Sequence, residues 1–252
     1  MSNQIFQAFL VRFYQTAKGV ELLREESTLL NHSLTRIFGY FMVQVGQTCQ
    51  QDLLKESRVS FKVLVDCTKP VNPVHEFVKA DIDYLPFKRQ SVDVVFLPHT
   101  LETVKDPYHL LRQVDKMILP EGSLIISGFN PYGSRMLALR LGEFKHEFKQ
   151  VNFITESRLI DWLNLLGYDI ECIHYKQDSP RNRIKKSFFM VLRKLGFEHQ
   201  SVYIISAKKR VESQTPIGLN WRLSNWLPVK KGQSVVSNNA THNVINKRNK
   251  CK

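Results

Sequence analysis

The sequence lacks several features that would place it in a specialised class of protein. No apolar run approaches the roughly 20 residues that a membrane-spanning helix needs. The four cysteines form no C-x-x-C pair and no histidine lies in an H-E-x-x-H spacing, so we expect neither a disulfide framework nor a metal site. No basic leader with an unbroken apolar core stands at the start, so we expect a cytoplasmic protein.

Acidic residues are scarce in the last third of the chain. Residues 176–252 contain 17 lysines and arginines against three acidic residues, whereas residues 1–175 contain 19 against 20. Basic surfaces attract nucleic acid and anionic membranes, because counterions are released on contact. Nucleic acid is therefore one partner suggested by the basic residues 181–252. A basic surface that only solubilises the chain is the alternative.

Apolar residues recur in short β-branched runs that alternate with stretches at helical spacing. The pattern predicts strands over residues 40–46, 61–66, 92–97, 123–127, 170–175 and 202–207. It predicts helices over residues 16–38 and 50–57, a helix starting at Asp106-Pro107 and closed by a turn at 120–122, and a helix capped by Thr155. Strands that alternate with helices indicate an α/β fold with a parallel sheet and helices on both faces.

Polar residues follow several of the predicted strands. In a parallel sheet, ligands bind beyond the carboxyl ends of the strands. Gly46 ends the first strand, and Asp66 ends the second strand 20 residues later. This spacing also occurs in dinucleotide-binding proteins, where the acid binds a ribose, but no G-x-G-x-x-G follows the first strand.

Four segments carry a resemblance to a known family. They are Ala80–Phe87 (ADIDYLPF), Ser91–Phe96 (SVDVVF), Leu101-Glu102, and the helix that closes in Leu119–Gly122 (LPEG). They resemble the class I S-adenosylmethionine-dependent methyltransferases of type 11. More narrowly, the chain resembles a bacterial group with Asn-Pro after the fifth strand, here Asn130-Pro131.

The resemblance implies a fold and a domain organisation. The fold would be α/β, a Rossmann-like seven-stranded methyltransferase sheet with helices on both faces and an antiparallel last strand. An N-terminal helical cap (1–39) would precede a methyltransferase-like domain (40–210). A basic helical insert (176–201) would interrupt that domain, and an extension (211–228) and a disordered basic tail (229–252) would follow it.

The resemblance also implies S-adenosylmethionine as cofactor, an unidentified methyl acceptor, and a set of binding residues. Gly46 and Gln47 would form the turn that holds the methionine part, and Asp66 would bind both ribose hydroxyls. Asp81 and the amide of Ile82 would contact adenine, and Leu97 and His99 would line the floor near the transferred methyl. No catalytic residue is assigned, because transfer from a sulfonium requires chiefly alignment of the methyl and its acceptor.

The turn after the first strand departs from the family pattern and leaves alternatives open. Gly46 is the only glycine in this turn, and Gln44 stands where the family usually has an acid. Either glutamine amides and backbone groups still bind the cofactor, or the chain is a catalytically silent binding module. His99 is likewise open, since histidine suits base catalysis near neutral pH but can equally be a rim residue without a role.

Overall fold

The computed structural model describes residues 4–70, 73–133, 136, 139, 144–148, 151–177 and 200–210. The helices are α1 (Gln4–Phe13), α2 (Ala17–Leu34), α3 (Pro107–Met117), α4 (Lys145–Phe148) and α5 (Glu156–Leu165). The strands are β1 (Phe41–Val45), β2 (Phe61–Asp66), β3 (Glu76–Lys79), β4 (Val92–Pro98), β5 (Ile118–Phe129), β6 (Tyr168–Gln177) and β7 (Gln200–Lys209). Most of the predicted basic insert, the extension and the tail lie outside the described residues.

The strands form one seven-stranded sheet in the order β3-β2-β1-β4-β5-β7-β6. The first five strands in this order are parallel, and β7 runs antiparallel to both β5 and β6. The expected seven-stranded sheet with an antiparallel last strand is confirmed. The apolar pattern missed β3, since this short edge strand (EFVK) is only partly buried and carries two apolar residues.

Helices cover both faces of the sheet, as predicted. One hydrophobic core joins α1 and α2 to strand residues such as Met42, Val94 and Phe96. A second core joins α3 and α5 to the neighbouring residues Val43 and Val95, whose side chains point to the opposite face. The two N-terminal helices therefore share a core with the sheet.

The predicted helix starts are confirmed by their capping bonds. Thr16, Asp106 and Thr155 each accept a backbone N–H of the first turn of α2, α3 and α5, and Pro107 occupies the first position of α3. Helix α2 ends at Leu34, so the predicted end near residue 38 was too late. Each cap therefore fixes the first turn of its own helix.

One local prediction is wrong. The predicted helix over residues 50–57 is a series of bends and turns. The predicted turn at 120–122 lies inside the range of β5, which begins directly after α3. The strand is irregular there, because its register with β4 shifts between Val92 and Val94 and Glu121 has a φ of +63°. A glycine within a strand is typical of such a bulge.

Candidate active site

The carboxyl ends of β1 and β2 bring Gly46, Gln47 and Asp66 together. The N–H of Gly46 donates to the carbonyl oxygen of Val65 at 2.8 Å. The N–H of Gln47 donates to Asp66 Oδ2 at 2.8 Å, and the N–H of Thr68 approaches Oδ1 at 3.4 Å. The predicted ribose-binding carboxylate is thus held by the backbone at the edge where parallel sheets bind ligands.

Helix α1 contributes a residue to this group that sequence reasoning missed. Gln7 Nε2 donates to Asp66 Oδ2 and, at 3.1 Å, to the carbonyl oxygen of Gln47. Asp66 is consequently only 3% exposed. Burial raises the pKa of its carboxyl, while backbone hydrogen bonds from Gln47 and Thr68 oppose that rise. No local signal in the α1 sequence pointed to a partner so far along the chain.

A cavity of about 610 Å³ lies against these residues. One wall is the face of α1 from Gln7 to Arg12, and the opposite wall includes Gln47, Asp66 and residues 68–70. This volume falls in the range of small-molecule and cofactor sites. The site therefore lies between the first helix and the ends of two neighbouring strands.

The turn at Gly46 requires glycine for two reasons. Its φ is +86°, and a Cβ would lie 3.1 Å from Thr100 Oγ1. Thr100 Oγ1 in turn donates to the carbonyl oxygen of Val45 at 2.5 Å. Gln44, at the position where the family usually has an acid, donates its side-chain amide to the carbonyl oxygen of Gly46 at 3.0 Å. Gln44 is buried, stabilises the turn through this hydrogen bond and does not line the cavity.

Substituting Gly46 by valine is expected to destabilise the fold by more than the same change at Gly167. Both glycines have positive φ, but nothing lies within 4 Å of a Cβ at Gly167. Gly167→Val therefore carries only the backbone strain of about 1–3 kcal/mol, whereas Gly46→Val adds the collision with Thr100. Urea unfolding measures both, and equal losses would show that Thr100 does not restrict position 46.

Apart from Gln47 and Asp66, the predicted cofactor residues are not part of the cavity wall, and this includes Gly46. The N–H of Ala80 donates to the carbonyl oxygen of Asp66 at 3.1 Å, which places Asp81 and Ile82 beside the end of β2. The exposed Asp81 carboxylate accepts the N–H of Asp83 at 3.0 Å, while the side chains of Ile82 and Leu97 are fully buried in the core. Their predicted contacts with a cofactor remain predictions.

His99 lies in the interior and not at the rim. Its side chain has no exposed surface, and its ring stacks on Phe129 with centroids 3.9 Å apart. Its Nδ1 lies 3.0 Å from Glu102 Oε2, and its Nε2 lies 3.1 Å from Glu26 Oε1. The Tyr14 hydroxyl donates to Glu26 Oε2 at 2.9 Å. We call Tyr14, Glu26, His99 and Glu102 the buried ionic cluster.

Electrostatics keep the histidine of the buried ionic cluster protonated. Burial lowers the pKa of His99, but the carboxylates of Glu26 and Glu102 outweigh burial and raise that pKa to about 10. Burial raises the pKa of Glu26, but His99 outweighs burial and the result is a lowered pKa. Since both ring nitrogens face carboxylates, His99 is not placed to take a proton from a substrate. The cluster instead ties the N-terminal helices to the end of β4.

Two further structural findings bear on the kind of site. Within the described residues, no group of three or more histidine, cysteine, aspartate or glutamate side chains could hold a metal ion. Among the same parts of the chain, no helix has the length and apolar character needed to cross a membrane. The polar lining of the cavity includes the Asp66 carboxylate, the basic residues Arg12 and Lys69, and glutamine side-chain amides.

Comparison with known sequences found a family match over part of the chain. Residues 45–126 match the model of a protein family described as a methyltransferase domain. The uncharacterized protein YafS of Escherichia coli K12 is 35% identical over 144 residues, which cover 56% of this chain and 58% of YafS. The chain thus spans less than two thirds of that curated relative.

Solved structures share the fold at low sequence identity. An S-adenosylmethionine-dependent methyltransferase of Thermotoga maritima, described as a possible histamine N-methyltransferase, matches with a TM-score of 0.59 at 13% identity, covering 83% of this chain and 99% of its own. One from Archaeoglobus fulgidus matches with a TM-score of 0.57 at 18% identity, covering 80% and 98%. The [4+2]-cyclase SpnF matches with a TM-score of 0.53 at 13% identity, covering 74% and 80%.

Strand order, matched domain and structural neighbours agree with one another. The matched segment runs from the last residue of β1 into the second half of β5, and so includes Gly46, Asp66 and the ends of β2, β3 and β4. Residues 45–126 therefore match a methyltransferase domain of type 11, and the sheet around them has the fold that these solved S-adenosylmethionine-dependent methyltransferases share.

Proposed function

We propose that this chain transfers a methyl group from S-adenosylmethionine to an acceptor, and that the cofactor binds in the cavity between α1 and the ends of β1 and β2. The observation that carries the proposal is the Asp66 carboxylate, which borders a cavity of about 610 Å³ at a strand end inside the matched domain. A carboxylate suits this position because it accepts two hydroxyl hydrogen bonds at once.

The residues present fit the cofactor. Asp66, which lines the cavity, would accept the ribose hydroxyls. Gly46 precedes the lining residue Gln47, and its positive φ shapes the turn that presents Gln47 to the cavity. The amide of Gln47 lies on the cavity wall and supplies polar atoms for the methionine part. When bound, S-adenosylmethionine supplies an electrophilic methyl on a sulfonium.

The protein's contribution to transfer would be orientation of the cofactor. Helix α1 forms one wall of the cavity and packs through Phe6, Phe9 and Leu10 into the core. A ligand held between this wall and the strand ends would present one direction of approach to an acceptor. Alignment of this kind supplies much of the rate enhancement in displacement reactions.

A catalytically silent binding module is the second candidate. It is favoured by the hydrogen bonds that Asp66 already makes within the protein. Nucleic-acid binding through residues 181–252 and a cytoplasmic location are further proposals that rest on the sequence.

Binding and transfer are tested separately. S-adenosylmethionine is expected to raise the melting temperature of the protein by several degrees at 100 times its dissociation constant, since this saturation adds about 2.7 kcal/mol to stability. ATP, which lacks the sulfonium and the methionine part, is the control ligand. The absence of saturable binding at millimolar concentration would exclude the enzyme.

Methyl transfer itself is measured with S-adenosylmethionine carrying a labelled methyl, added to fractionated cell extract. Label is expected in one fraction with the wild-type protein and in none with Asp66→Asn. Saturable binding without transfer in any fraction would favour the silent binding module.

A further inference from the structure

We propose that Gln7 is a specificity-determining residue of the cofactor site, because its side chain competes with a ribose hydroxyl for the Asp66 carboxylate. This inference rests on the proposed function and adds a residue from α1 to it. The competition would decide how much affinity the site gains from a ribose that carries both hydroxyls.

The hydrogen bonds of Asp66 show where a hydroxyl has room. Each carboxylate oxygen offers about two acceptor positions. Oδ2 already accepts the N–H of Gln47 at 2.8 Å and the side-chain amide of Gln7. Oδ1 accepts a long bond of 3.4 Å from the N–H of Thr68, and the backbone N–H of Cys67 also contributes to holding the carboxylate. One ribose hydroxyl therefore fits at Oδ1, whereas a second at Oδ2 must displace Gln7.

Displacing Gln7 requires only a side-chain movement. Helix α1 is anchored by Phe6, Phe9, Leu10 and Phe13, which are all nearly fully buried on the opposite side of the helix from the cavity residues. Gln7 is half-buried and has three rotatable side-chain bonds, so its amide can leave Asp66 while the helix stays in place. Its second bond, to the carbonyl oxygen of Gln47 at 3.1 Å, would be lost in the same movement.

Because Gln7 must be displaced, the ribose hydroxyl that binds Oδ2 adds almost nothing to the affinity of the wild-type protein. A ligand with both hydroxyls gains one bond to Oδ2 and breaks the bond that Gln7 made there. A ligand that lacks the hydroxyl facing Oδ2 leaves Gln7 in place. Removing the Gln7 donor should therefore strengthen binding of the complete ribose and leave that deoxy ligand unaffected.

The test is calorimetry with S-adenosylhomocysteine and its 2′-deoxy and 3′-deoxy analogues on the wild type, Gln7→Leu and Gln7→Met. Both variants are expected to bind S-adenosylhomocysteine roughly fivefold to tenfold more tightly, the equivalent of one hydrogen bond. At least one deoxy analogue should bind all three proteins equally. Gln15→Leu is the matched control, because Gln15 is exposed beyond the end of α1 and away from the cavity.

Two results would overturn the proposal that Gln7 and a ribose hydroxyl compete for Asp66. One is an equal gain for all three ligands, which would mean that the variants merely open the site. The other is weaker binding of S-adenosylhomocysteine, which would make Gln7 a direct ligand contact.

Hydrogen exchange in the ligand-free protein separates this inference from the proposed function. Gln7→Leu should speed amide exchange in α1, because the bonds to Asp66 and Gln47 are lost, and Gln15→Leu should not. Unchanged exchange in Gln7→Leu would overturn the role of Gln7 whatever binds in the cavity. Faster exchange with no ligand binding to any of the proteins would overturn the proposed function and the ribose competition, and leave only the contact between α1 and Asp66.

Discussion

Replacing Asp66 by asparagine is expected to lower the affinity for S-adenosylmethionine roughly 10-fold to 100-fold and to leave the protein folded. The ribose hydroxyl at Oδ1 would lose a charged acceptor, and a hydrogen bond to a charged group contributes about 1.5–3 kcal/mol. The second hydroxyl adds little to this loss, because in the wild type it must first displace Gln7. Calorimetric titration measures the change directly.

The fold should survive because asparagine has the shape of aspartate and its side-chain oxygen can still accept the N–H of Gln47. Asp106→Asn is the matched control. Asp106 caps α3 outside the cavity, and asparagine caps helices about as well as aspartate. An unchanged dissociation constant for Asp66→Asn would remove Asp66 from the site.

Replacing His99 by glutamine is expected to destabilise the protein by about 3–5 kcal/mol. The change removes the positive charge between Glu26 and Glu102, which are both 2% exposed. Breaking a buried ion pair by removal of one partner leaves an uncompensated charge in the interior, and this is the usual magnitude of that loss. Urea unfolding at neutral pH gives the change in free energy.

A second histidine offers the control for this variant. His75 pairs with Asp52 at 2.8 Å, but both side chains are about one fifth exposed. His75→Gln should therefore lose about 1 kcal/mol or less, since water screens the pair. Similar losses at the two positions would show that the buried ionic cluster contributes no more than a partly exposed pair.

The pH dependence of the same variant separates the loss of charge from the loss of packing. The pKa of His99 is about 10 in the folded protein and near 6.5 when unfolded, so its stabilising charge is fully present below pH 6.5. That contribution is lost as the pH rises from 6.5 through 10. Wild-type stability should fall over this interval more steeply than that of His99→Gln. Parallel curves would show that His99 is not charged in the folded state.

Local sequence determined much of the scaffold. Short apolar runs placed β1, β2 and β4, because a strand buried on both faces needs consecutive apolar residues whatever surrounds it. Thr16, Asp106 and Thr155 set the helix starts, because a cap bonds only to its own first turn. The positions of Gly46 and Asp66 at strand ends followed from the same pattern and from the resemblance to a family.

Tertiary structure alone decided what these residues contact. Gln7 contacts Asp66, which lies 59 residues later in the sequence, and Glu26 contacts His99, which lies 73 residues later. Neither pair has a local signature, because the packing of α1 and α2 on the sheet creates both contacts. His99 shows the consequence most clearly. Its place at a strand end was readable from the sequence, but its burial between two carboxylates depends on a helix that precedes it by more than 60 residues.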